Sequence, residues 1–180
     1  MAHRPRTRPR LLIVDGYNVL GALRPIAPGQ SIDDARDRLT EQLRDYAGYL
    51  GQKVIVVYDA WLSNRRARSV EKMGNFTLVF TQQGETADRY IERLVDELAS
   101  DIALDRVEVR VATSDLVEQV VVLGRGATRV SARELLNELE SVRDAGRKGA
   151  AKPDAKARAT VMERLSPALR QKLEQMRRGE

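Results

Sequence analysis

Short apolar runs alternate along the chain with longer stretches of helical period. Leu11-Leu12-Ile13-Val14 and Val54-Ile55-Val56-Val57-Tyr58 are continuous apolar runs of strand length, as expected for strands covered on both faces. Asn75 to Phe80 alternates Phe76, Leu78 and Phe80 with polar or smaller residues and predicts a third strand. Val107 to Ala112 alternates valine with charge and predicts a fourth, nearer an edge or half covered. Thr128-Arg129-Val130 is a brief fifth.

Helical signals fill the gaps. From Ser31 to Leu50 the residues Ala35, Leu39, Leu43, Ala47 and Leu50 form one apolar stripe. Ser31 with Asp34 has capping-box spacing, and Gly51 is a stop. Glu85 to Ala103 predicts a second helix with Ile91, Leu94, Val95 and Leu98 on one side. Leu116 to Leu123 predicts a short one, stopped by Gly124-Arg125-Gly126, and Ser131 with Glu134 opens another. Strands alternating with helices predict an α/β fold: a mostly parallel five-stranded sheet, right-handed crossovers, and helices on both faces. Gly146 to Pro153 reads as a small, basic linker, and Asp154 to Arg178 as a helical appendage broken near Ser166-Pro167.

Composition narrows the chemistry. The 180 residues include no Cys and one His, His3, in an Arg-rich N-terminal stretch. Disulfides, thiolate zinc sites, Cys nucleophiles and His-dependent dyads or triads are not expected. An enzyme built from this chain works with carboxylates, hydroxyls, amides, guanidiniums or a hard metal ion. No apolar run approaches the roughly 18 residues of a membrane span, and MAHRPRTRPR leads into too short an apolar run for a signal sequence. A cytoplasmic protein with no membrane partner is expected. The net charge of +5 is polarised: residues 1–10 carry +4, residues 11–142 carry −5 and residues 143–180 carry +6. This suggests a basic disordered lead (1–10), an acidic body (11–143), and a basic linker with a helical tail (144–180).

In open parallel sheets ligands sit beyond the carboxyl ends of the strands, where strand order reverses. Asp15, Asp59 and Asp115 follow the first, second and fourth predicted strands, and Glu85 and Asp88 mark the start of the helix after the third. Each alone is also an ordinary turn or N-cap residue. Together on one rim they would repel one another and raise each other's pKa values unless a hard divalent cation compensates. Such an ion also lets an anionic phosphodiester approach and supplies a nucleophilic water. Asn18 fits an Asx turn or a contact to a metal water or phosphate, and Ser114 an N-cap or a phosphate contact. Gly16 permits close backbone approach. Asp33, Asp34 and Asp37 suit a helix N-terminus, and Asp96, Glu97, Asp101 and Asp105 a solvated face. Neither GxxxxGK[ST] nor GxGxxG occurs, so no nucleotide cofactor is expected. Trp61, Arg65, Arg66 and Arg68 follow Asp59 and could stack on bases or fork onto phosphate. The basic ends would add salt-dependent affinity for a polyanion.

The segments Asp15-Gly16-Tyr17-Asn18-Val19-Leu20, Tyr58-Asp59-Ala60, Gly84-Glu85-Thr86-Ala87-Asp88-Arg89-Tyr90-Ile91-Glu92, Thr113-Ser114-Asp115-Leu116 and Ser131-Ala132-Arg133-Glu134-Leu135-Leu136 resemble the YacP-like branch of NYN-domain proteins, over about residues 10–143. The resemblance implies a Rossmann-like PIN/NYN nuclease fold. It also implies endoribonuclease activity dependent on one or two magnesium (Mg2+) or manganese (Mn2+) ions, RNA as partner, and a connection with mRNA on the ribosome. Carried over by motif, Asp15 and Asp88 are the strongest catalytic positions and Asp59 and Asp115 are supporting ones. Asp15, Asp59, Glu85, Asp88 and Asp115 are the expected metal set, with Asn18, Ser114, Trp61, Arg65, Arg66 and Arg68 on the substrate side. A non-catalytic RNA- or ribosome-binding module on the same scaffold is the main competing reading. A phosphatase for small phosphoesters, which would not need basic ends, is a third.

Overall fold

The computed structural model describes residues 8–22, 29, 31–60, 67–114 and 123–150. Within them the order is β1 (Arg10–Asp15), α1 (Gly16–Ala22), α2 (Ile32–Leu50), β2 (Lys53–Tyr58), β3 (Ser69–Met73), β4 (Phe76–Phe80), α3 (Ala87–Ala103), β5 (Glu108–Ala112), β6 (Thr128–Val130) and α4 (Ala132–Ala150). The strands form one sheet in the order β3-β4-β2-β1-β5-β6. All neighbours are parallel except β3, which runs antiparallel to β4.

Two apolar layers flank the sheet, as the continuous runs require. On one face Leu12, Val14, Val54, Val56 and Tyr58 pack with Leu39, Leu43 and Tyr46 of α2 and Leu135 and Leu139 of α4. On the other, Leu11, Ile13, Val57, Val109 and Val111 pack with Ile91 and Val95 of α3. The alternation in β5 has its reason here. Its valines face α3, whereas Arg110 lies level with Leu12 on the opposite face.

The helix ends follow local chemistry. Ser31 and Asp34 form the reciprocal capping box, and Gly51 closes α2 with φ 62°. Ser131 and Glu134 bond reciprocally at the start of α4, at 3.2 and 2.7 Å.

The sheet has six strands rather than five. The additional strand, β3, has only two large apolar residues, Val70 and Met73, and both are exposed. Its pairing comes from a two-residue turn, Gly74-Asn75, with Gly74 at φ 58°. Three boundaries also differ from the sequence expectation. Thr86 is the N-cap of α3, so Glu85 falls outside the helix. The helix of Ala132 continues through Gly146 to Ala150. Arg8 and Arg10 are ion-paired to Asp105 and Glu108, and Pro9 accepts the Glu108 N–H at 3.0 Å, so this part of the basic lead lies against the body. The predicted helix from Leu116 lies almost wholly outside the described residues, as does the tail after Ala150. No helix among the described residues is long and apolar enough to cross a membrane.

A polar network ties three elements together on the α2–α4 face. Arg110 of β5 forks onto Glu138 of α4, with Nη2 to Oε1 at 2.5 Å and Nη1 to Oε2 at 3.1 Å. The buried Tyr46 hydroxyl donates to Glu138 Oε2 at 2.7 Å. Burial, and then the Glu138 charge, push the Tyr46 hydroxyl up to about 12. The guanidinium of Arg110 holds the Glu138 carboxyl below its ordinary value of 4.5. A glutamate depressed in the folded state stabilises the fold above its unfolded pKa and loses that contribution as pH falls through the folded value. Glu138→Gln is therefore expected to cost about 1–2 kcal/mol at pH 7, discounted for the solvent reaching Glu138. The gap between wild type and variant should narrow as pH drops below 4.5, which urea midpoints at several pH values will measure.

Candidate functional site

Connections from β1 lead to β2 and then β4 on one side, whereas the chain crosses from β4 to β5 on the other. Strand order thus reverses between β1 and β5, and the crevice above their carboxyl ends is the expected ligand position. Asp15 is the last residue of β1 and Asp59 directly follows β2. The registers Asp15↔Val57 and Val14↔Ala112 bring Asp15, Asp59 and Thr113 to one rim.

Asp15 is 5% exposed. Its Oδ1 accepts the Asn18 N–H at 2.9 Å, which caps the short helix α1. Asn18 in turn accepts the Ser114 N–H on its Oδ1 at 2.5 Å, a bond that spans the reversal point. Beyond the two readings of Asn18 offered by the sequence, the structure shows a bridge that holds the β5 exit against the β1 exit. Ser114 is exposed at that exit.

Gly16 stands where any side chain would collide. A Cβ built there lies 2.1–2.6 Å from ring atoms of Tyr58. The Tyr58 ring is fully buried, meets Tyr17 edge-on at 5.0 Å and stacks on Phe80 at 5.6 Å. Its hydroxyl lies 3.0 Å from Thr40 Oγ1 and donates to the Arg36 carbonyl at 3.2 Å. One ring thereby fixes the exit of β1, the end of β2, β4 and α2.

Asp59 faces the start of α3. Its carboxylate accepts a long bond, 3.4 Å, from Thr81 Oγ1 and lies close enough to the Ala87 N–H for that dipole to favour its charge. Thr81 is fully buried and accepts the Ala60 N–H at 3.0 Å, which sets the turn after Asp59. Partial burial raises the Asp59 pKa, and the neighbouring charges of Asp88 and Glu85 push in the same direction. Asp88, in the first turn of α3, is therefore close enough to Asp59 to be felt.

Glu85 has a different setting from the shared helix face expected for it. Because Thr86 caps α3, the Glu85 side chain turns toward two arginines. Arg68 donates to it from Nε at 3.2 Å and from Nη2 at 2.8 Å, and Arg93 from Nη2 at 2.7 Å. The Glu85 side chain is 8% exposed, and these guanidiniums hold its carboxyl below the ordinary value despite burial. Both guanidiniums also lie over the Tyr90 ring, at 5.3 and 5.2 Å.

The structure thus brings Asp59, Asp88 and Glu85 into one electrostatic neighbourhood, with Asp15 on the adjacent strand end. Among the described residues no three acidic side chains come together as ligands of one ion. Asp115, Trp61, Arg65 and Arg66 lie outside the described residues. The donor set still suits a hard cation: it is all oxygen, it is partly desolvated, and the Asp59 charge is disfavoured by burial and then by its acidic neighbours, which a cation would offset. Magnesium commonly takes only one or two carboxylates and keeps several waters.

Tyr58, Thr81, Tyr90 and Arg93 join the site without having been singled out in the sequence. Tyr58 had a legible signal, an aromatic ending an apolar run just before Asp59. Arg93 had none, since its partner is eight residues away and not on its helix.

Gly16→Ala is expected to destabilise the fold by about 1–3 kcal/mol, as overpacking does, and thermal melting will measure it. A carboxyl with a raised folded pKa destabilises the fold above that value and not below its unfolded one. Asp59→Asn removes that penalty at neutral pH. Its Tm without divalent ions should exceed that of the wild type, and the rise in Tm on adding magnesium should shrink.

Comparison with known proteins agrees with this architecture. Residues 12–178 match the YacP-like NYN domain family. The chain is 41% identical over 137 residues to a protein of Bacillus subtilis (strain 168) named "Uncharacterized protein YacP", covering 73% of this chain and 76% of that one. It is also similar to the crystal structure of Rae1 (YacP) from Bacillus subtilis, with TM-score 0.65, 35% identity, and coverage of 94% of this chain and 95% of that one. For a crystal structure of a mutant of the same Bacillus subtilis protein the values are 0.63, 34%, 92% and 98%. The likeness extends through the six-stranded α/β sheet, and the chain belongs to the YacP-like NYN domain family, whose members are generally nucleases.

Proposed function

We propose that this chain is a metal-dependent endoribonuclease that hydrolyses RNA phosphodiester bonds, with ribosome-associated mRNA as its substrate in the cytoplasm. The observation that carries the reading is the half-buried Asp59, whose pKa is raised by burial first and then by the charges of Asp88 and Glu85, on the rim where Asp15 stands at the strand-order reversal. Asp59 and Asp88, and Asp15 on the adjacent strand end, would supply carboxylates in ones or twos to the ion or ions, and Asp115, which follows Ser114 in the chain, is a further candidate. A bound magnesium or manganese ion supplies an acidified water and neutralises charge on the phosphate.

The side chains divide the remaining work. Asp15, fixed by the Asn18 N–H, keeps its carboxylate in one orientation at the crevice. Asn18 holds the β5 exit at a set distance from Asp15. The basic lead, the segment Trp61 to Arg68 and the tail after residue 144 would hold the polyanion against the rim without reading its sequence.

The test is cleavage of a long RNA with magnesium or manganese by wild type, Asp15→Asn and Asp88→Asn. Each substitution is expected to lower the rate by about 100-fold or more, in the range for groups acting on the attacking water. Equal cleavage by all three forms would contradict the assigned site. Retained salt-sensitive RNA binding with no cleavage by any form would favour a non-catalytic binding module.

A further inference from the structure

We propose that Arg68 and Arg93 form a phosphate clamp beside the acidic rim, and that Glu85 is the positioning residue that assembles it rather than a metal ligand. The clamp would take the backbone phosphate of a bound RNA strand next to the one being cut. This rests on the RNA-cleaving reading of the rim.

The geometry carries the proposal. Glu85 binds both guanidiniums through the same carboxylate, Arg68 with two nitrogens and Arg93 with one. In hydrogen-bond contact one carboxylate meets two guanidiniums, and Glu97 adds a further negative charge near Arg93 without a hydrogen bond to it. Glu85 is closed off, at 8% exposure, whereas Arg68 and Arg93 remain 35% and 48% exposed. Among the described residues the Nη1 groups of both arginines have no hydrogen-bond partner. The solvent-facing part of the cluster is therefore its donors, and its acceptor is used up inside. A site for a cation has the opposite arrangement.

Tyr90 makes the pair rigid. Both guanidiniums sit over its ring within the range of cation–π attraction. Guanidiniums already held in place lose less freedom when an anion arrives, and their planar forks match two phosphate oxygens. The location is also suitable. The Glu85 carboxylate that binds both guanidiniums is near enough to Asp59 to be felt there, and it precedes Asp88 by three residues across the Thr86 cap. An anionic strand approaching an acidic rim needs positive charge at its margin, and these two guanidiniums stand at that margin.

The test uses the full-length chain and a labelled single-stranded RNA of about 20 nucleotides, with binding measured in EDTA across a salt series. Arg68→Ala and Arg93→Ala are each expected to weaken binding about tenfold and to lower the slope of log affinity against log salt by about 0.7 for each phosphate no longer neutralised. Arg68→Lys and Arg93→Lys keep the charge and the pairing to Glu85, and serve if the alanine variants fail to fold. Their affinity should fall between alanine and wild type, because lysine has no fork. In cleavage assays Glu85→Gln should raise KM for RNA several-fold while the magnesium concentration for half-maximal rate stays within twofold. Unchanged affinity and salt slope in the arginine variants would reduce the cluster to a surface ion network and overturn the proposal. A large rise in the magnesium requirement of Glu85→Gln with unaltered RNA affinity would make Glu85 a metal ligand and also overturn it. If the wild type cleaves no RNA, the nuclease reading fails, and the EDTA binding series still decides the clamp.

Discussion

The rest of the site depends on a steric fit between Gly16, which has no side chain, and the ring of Tyr58. Asp15 immediately precedes Gly16 and Asp59 immediately follows Tyr58, so both backbones are positioned by this fit. The ring occupies the space a Cβ would need and is pinned by Tyr17, Phe80, Thr40 and the Arg36 carbonyl. Buried rings in close-packed interiors do not yield cheaply. The fit thus turns a sheet-packing problem into a fixed separation between two strand ends. The Asn18 bridge does the same for the β1 and β5 exits.

Charge around this frame is distributed unevenly. Two acidic groups in partly buried places are matched by arginine: Glu138 by Arg110 and Glu85 by Arg68 and Arg93. Both are held below their ordinary pKa, because the guanidinium partners outweigh desolvation. Asp59 is the contrast. Among the described residues the Ala87 N–H and a long Thr81 bond stand against burial and two acidic neighbours, and its pKa moves up. Where the fold needs an acid for structure it supplies a guanidinium, whereas Asp59 has none among the described residues. Strain of this kind concentrates at functional sites.

Much of this was legible in the sequence. The continuous apolar runs identified β1 and β2, the α2 and α4 caps were readable from Ser31-Asp34 and Ser131-Glu134, and Asp15 and Asp59 could be placed on one rim because parallel connectivity implies it. What escaped did so for physical reasons. β3 lacks an apolar face and exists through a hairpin turn and its pairing with β4. α1 is too short to show a period. Glu85 looked like a helix residue sharing a face with Asp88, and a single N-cap at Thr86 reversed that. Its arginine partners come from the residue just before β3 and from two turns along the helix, a tertiary arrangement that local pattern does not encode.

Metal-dependent cleavage requires that the strand-end rim of Asp15, Asp59 and Asp88 bind a divalent cation. Titrating the metal-free protein with substoichiometric manganese while recording backbone amide spectra decides this. Amides of Asp15-Gly16, Asp59-Ala60 and Ala87-Asp88 are expected to broaden first and together, and added magnesium to restore them. Broadening that begins instead at the solvated acids Asp96, Asp101 and Asp105, or that spreads over the acidic surface with no focus at the rim, would overturn the assignment.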